Sequence, residues 1–162
     1  MQTTLTLADA AATERLGRAI APHLGAGDTL ALTGGLGAGK STFARALIGA
    51  RLAALGRREE IPSPSYTLVQ VYDLGDVEVW HADLYRLGGT DELLELGLDE
   101  AFARSICVVE WADRLGPAAP PRRLDVALDF VARAGDARAV RLTPRGSRWD
   151  WLEAALADAR AA

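Results

Sequence analysis

Residues 28–47 read Asp-Thr-Leu-Ala-Leu-Thr-Gly-Gly-Leu-Gly-Ala-Gly-Lys-Ser-Thr-Phe-Ala-Arg-Ala-Leu. Leu30 to Thr33 form an apolar run of the length of a short buried strand. Gly34 to Ser41 then fit Gly-x-x-x-x-Gly-Lys-Ser/Thr without a mismatch. From Lys40 onward Phe43, Leu47 and Ile48 are spaced for one face of a helix. Strand, glycine loop and helix in that order is the context a phosphate-binding loop requires.

The chemistry follows from the backbone. A glycine-rich loop can turn successive N–H groups toward an anion. The helix that starts near Lys40 adds unpaired N–H groups and the positive end of its dipole. Leu36, Gly37, Ala38, Gly39, Lys40, Ser41 and Thr42 are therefore the candidate nucleotide-phosphate residues. Lys40 is placed to reach the β- and γ-phosphates, and the Ser41 hydroxyl to hold Mg²⁺. The alternative is a glycine turn that merely ends a strand. Lysine usage argues against it: the chain has 18 Lys plus Arg, and Lys40 is its sole lysine. A compact ammonium fits between phosphates where a planar guanidinium does not.

Working outward, a second apolar run, Ser105-Ile-Cys-Val-Val-Glu-Trp111, ends in an acid. A buried parallel strand that delivers a carboxylate to the Mg²⁺ edge of a phosphate site has this form, which makes Glu110 a candidate metal and catalytic residue. Val77 to Leu84 reads as a strand paired with Leu68 to Tyr72 around Leu74-Gly75-Asp76. His81 and Asp83 fall on one face of it. Asp83, at the strand end, is a candidate for a metal-bound water; His81 reads as a packed or hydrogen-bonded residue. Between Ile61 and Leu68, Pro62 and Pro64 forbid helix, and Ser63, Ser65, Tyr66 and Thr67 crowd the loop with hydroxyls. It is either a rigid turn into a strand or a loop that senses the γ-phosphate.

The remainder fits an α/β chain. Thr3 to Leu7 alternate as an edge strand. A helix from Ala8 or Asp9 to about His23 buries Ala12, Leu16, Ile20 and Leu24, leaving His23 at its surface end. The loop helix runs to about Leu55 and stops at Gly56, followed by a charged, mobile loop over 57–60. Asp91–Gly97 and Leu98–Arg104 are short helices, with Thr90 as N-cap and Gly97 between them. Leu124–Val131 and Arg138–Thr143 form a hairpin around Ala134-Gly135-Asp136, and Trp149 to Ala159 a terminal helix. The expected fold is a P-loop NTPase-like central, mostly parallel sheet with added antiparallel hairpins, flanked by helices, in one domain over residues 1–162.

Composition excludes several classes. Hydrophobic residues at 49% and charged residues at 25% are globular values. No apolar run approaches a membrane span, the N-terminus lacks a signal-peptide pattern, and the single Cys107 forms no internal disulfide; a cytoplasmic protein is expected. A net charge of −4 argues against a free-standing nucleic-acid binder. Between residues 116 and 149, however, arginines 122, 123, 133, 138, 141, 145 and 148 outnumber the aspartates. That stretch is either a solvated hairpin face or a docking surface for an acidic partner or RNA.

Four blocks together, Gly34-Gly-Leu-Gly-Ala-Gly-Lys-Ser-Thr-Phe43, Ser63-Pro-Ser-Tyr-Thr-Leu68, His81-Ala-Asp-Leu-Tyr-Arg-Leu87 and Val109-Glu-Trp111, resemble the TsaE (YjeE) family in order and spacing, over about residues 4–145. The resemblance implies a small P-loop ATPase that uses ATP and Mg²⁺. It further implies action with the TsaB and TsaD proteins in threonylcarbamoyl-adenosine modification of tRNA beside the anticodon, where ATP hydrolysis resets the TsaB–TsaD pair. Carried over by motif, residues 36–41 line the phosphates, Ser41 and Glu110 are Mg²⁺-linked, Asp83 lies near the metal or attacking water, Trp111 packs beside the site, and 63–68 is the switch-like loop. Ser65 replaces the family's usual threonine and keeps its hydroxyl. Gly35 replaces a frequent aspartate and loses an acid.

The expected chemistry is water attack on the γ-phosphate, with Lys40, Asp83 and Glu110 as the catalytic set and slow turnover without a partner. Arg86 could supply an arginine in cis. A small-molecule kinase shares the loop but needs an acceptor pocket and an arginine-bearing lid, and among the charged residues of 88–104 acids dominate. A nucleotide-sensing binding module, with hydrolysis incidental, is the other alternative.

Overall fold

The computed structural model describes residues 1–133 and 135–161. Its centre is the strand–loop–helix unit. Strand β2 (Thr29–Thr33) is buried along all but its last residue, and the helix that follows the glycine loop spans Lys40–Ala53. An apolar strand with no polar alternation needs cover on both faces. It is therefore central, flanked in parallel by β5 (Ile106–Glu110) and β6 (Arg123–Phe130). β4 (Glu78–Asp83) extends the parallel block beyond β5, and β3 (Val69–Asp73) closes that edge antiparallel. On the other side β7 (Arg138–Arg145) and β1 (Thr3–Leu7) add antiparallel strands, giving the order β1-β7-β6-β2-β5-β4-β3. The four central strands are thus parallel and the hairpin strands antiparallel, as the sequence predicts.

Helices α1 (Ala10–Ile20), α2 (Lys40–Ala53) and α5 (Leu152–Ala161) cover one face of the sheet. Leu16, Ile20, Phe43, Leu47, Ile48 and Leu156 pack there against Leu30, Leu32, Val126 and Val140. α3 (Asp91–Leu96), α4 (Leu98–Arg104) and a 3₁₀ turn over Ala112–Ala118 cover the other face, but only above β2, β5 and β4. Beyond β2 that face is bare and polar. Arg123, Asp125, Arg141, Thr143 and Arg145 line an open cleft of about 500 Å³ there. No helix of the described residues is long and apolar enough to cross a membrane.

Several local expectations need correction. α1 ends at Ile20 and continues as a 3₁₀ turn over Ala21–His23, because Pro22 has no N–H for the helical ladder. His23 stacks on Trp151 with ring centroids 4.9 Å apart. The terminal helix starts at Leu152 rather than Trp149, whose Nε1–H is committed to the Arg145 carbonyl at 2.9 Å. Thr90 precedes α3 but its side chain makes no cap. In the 57–60 loop Arg57 pairs with Glu59 and donates to the Asp73 carbonyl at 2.6 Å. The arginines of the basic stretch divide: Arg123, Arg141 and Arg145 share the bare sheet face, and Arg122 and Arg138 turn elsewhere. Arg122 reaches the Ala26 and Gly27 carbonyls, Arg123 and Arg145 clamp Asp125, and Arg138 turns to the glycine loop. Ala134, expected in the β6–β7 turn, lies outside the described residues.

Asp9 caps α1, its Oδ1 accepting the Ala12 N–H at 2.9 Å. Asp9→Ala is expected to cost about 1 kcal/mol, a fall of about 2–4 °C in melting temperature by calorimetry. Cys107 sits wholly inside β5, where burial pushes its thiol up to about 12. Native protein at pH 8 should resist alkylation over minutes and react fully in denaturant; rapid native labelling would contradict this packing.

Candidate nucleotide-binding site

The parallel register brings the C-terminal ends of β2, β4 and β5 to one edge. Asp83 pairs with Glu110, and Leu32 with Glu110, so both carboxylates stand beside the loop that leaves β2. In open α/β sheets this edge is where ligands bind. Gly34 needs its hydrogen: φ is +141°, and a Cβ would fall 2.3 Å from the Leu128 carbonyl oxygen. Gly39, at φ +111°, takes the left-handed turn from which α2 starts.

Lys40 is only 5% exposed. Its ammonium donates to the Gly34 and Gly35 carbonyls at 2.6 and 2.8 Å and lies 4.2 Å from the centre of the Trp111 ring. Burial pulls its pKa below the ordinary lysine value, while the nearby Glu110, Asp83 and Asp113 charges oppose that shift. The side chain is therefore positioned before any ligand arrives, held by the loop it serves.

Glu110 is tied at both oxygens. Ser41 donates to Oε1 at 2.8 Å, and His81 Nε2 lies 2.6 Å from Oε2. Asp83 accepts the Ser65 hydroxyl at 3.2 Å and the Tyr85 N–H at 3.0 Å, and Ser65 shares a hydrogen bond with Ser63 at 2.9 Å. The serine loop thus touches the site through Asp83. Trp111 takes a left-handed backbone, φ 57°, which lays its ring between Lys40 and Tyr85.

Together Leu36, Gly37, Gly39, Lys40, Ser41, Thr42, Ser65, Asp83, Tyr85, Glu110 and Trp111 surround a cleft of about 220 Å³. A recess of about 90 Å³ adjoins it past Gly37, Gly39 and Thr42, walled by Ala10, Thr13, Asp136 and Arg138. Of the candidate phosphate, metal and catalytic residues, Leu36, Gly37, Gly39, Lys40, Ser41, Thr42, Asp83, Glu110 and Trp111 reach the cleft; the Ala38 side chain is buried in the core and its N–H is on the Gly35 carbonyl. Arg86 is not in the cleft; it lies over the exposed Tyr66 ring at 5.6 Å. Sequence reasoning missed Tyr85, Thr13 and Arg138. Arg138 braces the loop from β7, donating to the Gly37 carbonyl at 3.3 Å and lying 4.4 Å from the Phe130 ring centre.

The residues fit a nucleotide triphosphate with a magnesium ion. The glycine loop and Lys40 supply an anion cradle. Ser41 and Glu110 place oxygen atoms on one side of it, with the Asp83 carboxylate beside them, donors of the hard kind Mg²⁺ prefers. Among the described residues no group of three or more His, Cys, Asp or Glu could hold a metal unaided. Few protein ligands are the norm where phosphate oxygens and water complete the magnesium shell.

Comparison with known proteins relates the chain to one family. The family model described as "Threonylcarbamoyl adenosine biosynthesis protein TsaE" matches residues 7–139. The tRNA threonylcarbamoyladenosine biosynthesis protein TsaE of Bacillus subtilis is 38% identical over 78% of this chain and 75% of its own. The protein of the same description from Streptomyces coelicolor is 39% identical over 83% of this chain and 91% of its own. The crystal structure of Bacillus subtilis YdiB superposes with a TM-score of 0.75 at 27% identity, over 99% of this chain and 95% of that one.

Proposed function

The chain belongs to the TsaE family of threonylcarbamoyl adenosine biosynthesis proteins, and from that we propose that it is a Mg²⁺-dependent ATPase that serves threonylcarbamoyladenosine modification of tRNA in the cytoplasm. Its partners are the TsaB and TsaD proteins, whose complex it resets by hydrolysing ATP. The observation that carries the reading is the convergence of Lys40, Ser41, Asp83 and Glu110 on one cleft beside the glycine loop.

The loop N–H groups and the Lys40 ammonium bind and neutralise the phosphates. Magnesium, when bound, adds electrostatic stabilisation of the charge that builds on the phosphoryl oxygens. Ser41 Oγ and Glu110 Oε1 are the protein atoms that would hold it. Asp83 would accept a hydrogen bond from the attacking water and orient it, in exchange for the Ser65 hydroxyl it now binds. Trp111 and Tyr85 wall the site against bulk water.

Two observations favour a hydrolase over a kinase. α3 and α4 pack Leu93, Leu98 and Ala101 onto the sheet face away from α2, so residues 91–104 form no lid over the cleft. Among the described residues no arginine lines the cleft, which fits slow turnover until a partner supplies one. The expected rate alone is on the order of 10⁻⁴ to 10⁻³ per second, the range of a P-loop hydrolase lacking that arginine. Product analysis tests the reading: ADP and inorganic phosphate in equal amounts are expected. A phosphorylated metabolite would establish a kinase instead, and several turnovers per second from pure protein would remove the need for a partner.

A further inference from the structure

His81 is fully buried in β4, and one ring nitrogen accounts for its protein hydrogen bonding. Nε2 lies 2.6 Å from Glu110 Oε2, whereas Nδ1 bonds to none of the described residues. A half-satisfied imidazole in a packed strand calls for an explanation beyond filling space, which leucine does without a polar cost. The register supplies one. β4 and β5 are parallel with His81 opposite Val108 and Asp83 opposite Glu110, so His81 and Glu110 share a face two positions apart. The Glu110 carboxylate can only accept, so the Nε2–H donates. His81 does not line the cleft; Glu110 stands between it and the ligand.

We propose that His81 is a positioning residue: its Nε2–H holds Glu110 Oε2 so that Oε1 stays turned to the Ser41 hydroxyl and the magnesium site. The inference rests on the nucleotide reading above. A glutamate has three side-chain torsions to fix, and Ser41 alone, on the far side, leaves the carboxylate able to swing. The pair is the arrangement by which an outer partner fixes a metal-ligating group, and loss of such partners lowers metal affinity by about 10–100-fold.

The test compares His81→Gln, whose amide nitrogen reaches the Nε2 position, with His81→Asn, which is as polar but too short, and with His81→Leu, which keeps the packing. ATP affinity is measured by calorimetry with and without Mg²⁺, beside kcat and KM. His81→Asn and His81→Leu should keep the metal-free ATP affinity and lose about tenfold or more of the tightening that Mg²⁺ brings. Their kcat should fall more than their KM for ATP changes, and His81→Gln should recover most of both losses. Wild-type Mg²⁺ dependence in His81→Asn or His81→Leu overturns the inference while leaving the nucleotide reading intact. So does equal impairment of the Gln and Asn variants in step with their melting temperatures, which is the pattern of packing alone. A wild-type protein that binds no ATP overturns both.

Discussion

Replacing Lys40 by alanine is expected to lower ATP hydrolysis by about 10²–10³-fold, or about 3–4 kcal/mol of transition-state stabilisation. The size follows from where the ammonium sits. It is buried beside the cleft and held by two loop carbonyls and the Trp111 ring, so its charge is already at the cradle where the phosphates would bind. Nucleotide affinity should fall as well, because a buried positive charge at the cradle is lost. Lys40→Arg should fare little better: a planar fork does not fit where a point charge bridges two carbonyls 2.6 and 2.8 Å away. Rates of phosphate release from the three proteins, with melting temperatures to exclude misfolding, check this. Near-normal hydrolysis by Lys40→Ala would place the chemistry elsewhere.

Glu110→Gln carries the second large effect. The amide keeps the shape of the carboxylate, can accept from His81 and can donate to Ser41, so stability should change by about 1 kcal/mol or less. What it removes is a charge at the magnesium side of the cleft. Hydrolysis should fall about 10²-fold or more, and the Mg²⁺ dependence of ATP binding should flatten. Metal-free ATP affinity should stay constant or rise, since a carboxylate 2.8 Å from the Ser41 hydroxyl repels an incoming polyphosphate. Calorimetry with and without Mg²⁺ separates these. A variant that loses metal-free ATP binding would show that Glu110 holds the loop rather than the ion.

The parts of this site that were legible in the sequence are those whose geometry is local. Gly34 to Ser41 is a contiguous motif, and its strand and helix are adjacent in the chain. Glu110 is legible for a different reason: after a complete phosphate loop, a short apolar run fits an inner parallel strand, and an acid at its end emerges at the ligand edge. The direction of the Ala38 side chain was not legible, because a loop motif names residues without saying which face each side chain takes; it turns into the core. The His81–Glu110 bond spans 29 residues and depends on the β4–β5 register, which no local pattern encodes. Arg138 braces a carbonyl 101 residues away, and nothing near it in the chain marks it for that task. The arginine-rich stretch left two readings open because a count of charges does not reveal their direction. Alternation along β6 and β7 sends Arg123 and Arg145 to the bare sheet face with Asp125, whereas Arg122 and Arg138, outside that alternation or at its start, turn elsewhere.

The central claim is that this cleft hydrolyses ATP in the service of a partner complex. Its most direct test is phosphate release from ATP by purified protein, with and without Mg²⁺ and the TsaB–TsaD pair. Slow Mg²⁺-dependent release, strongly raised by the pair and abolished in Lys40→Ala, is the predicted result. Release that ignores both the metal and the pair, or that survives in Lys40→Ala, would contradict it.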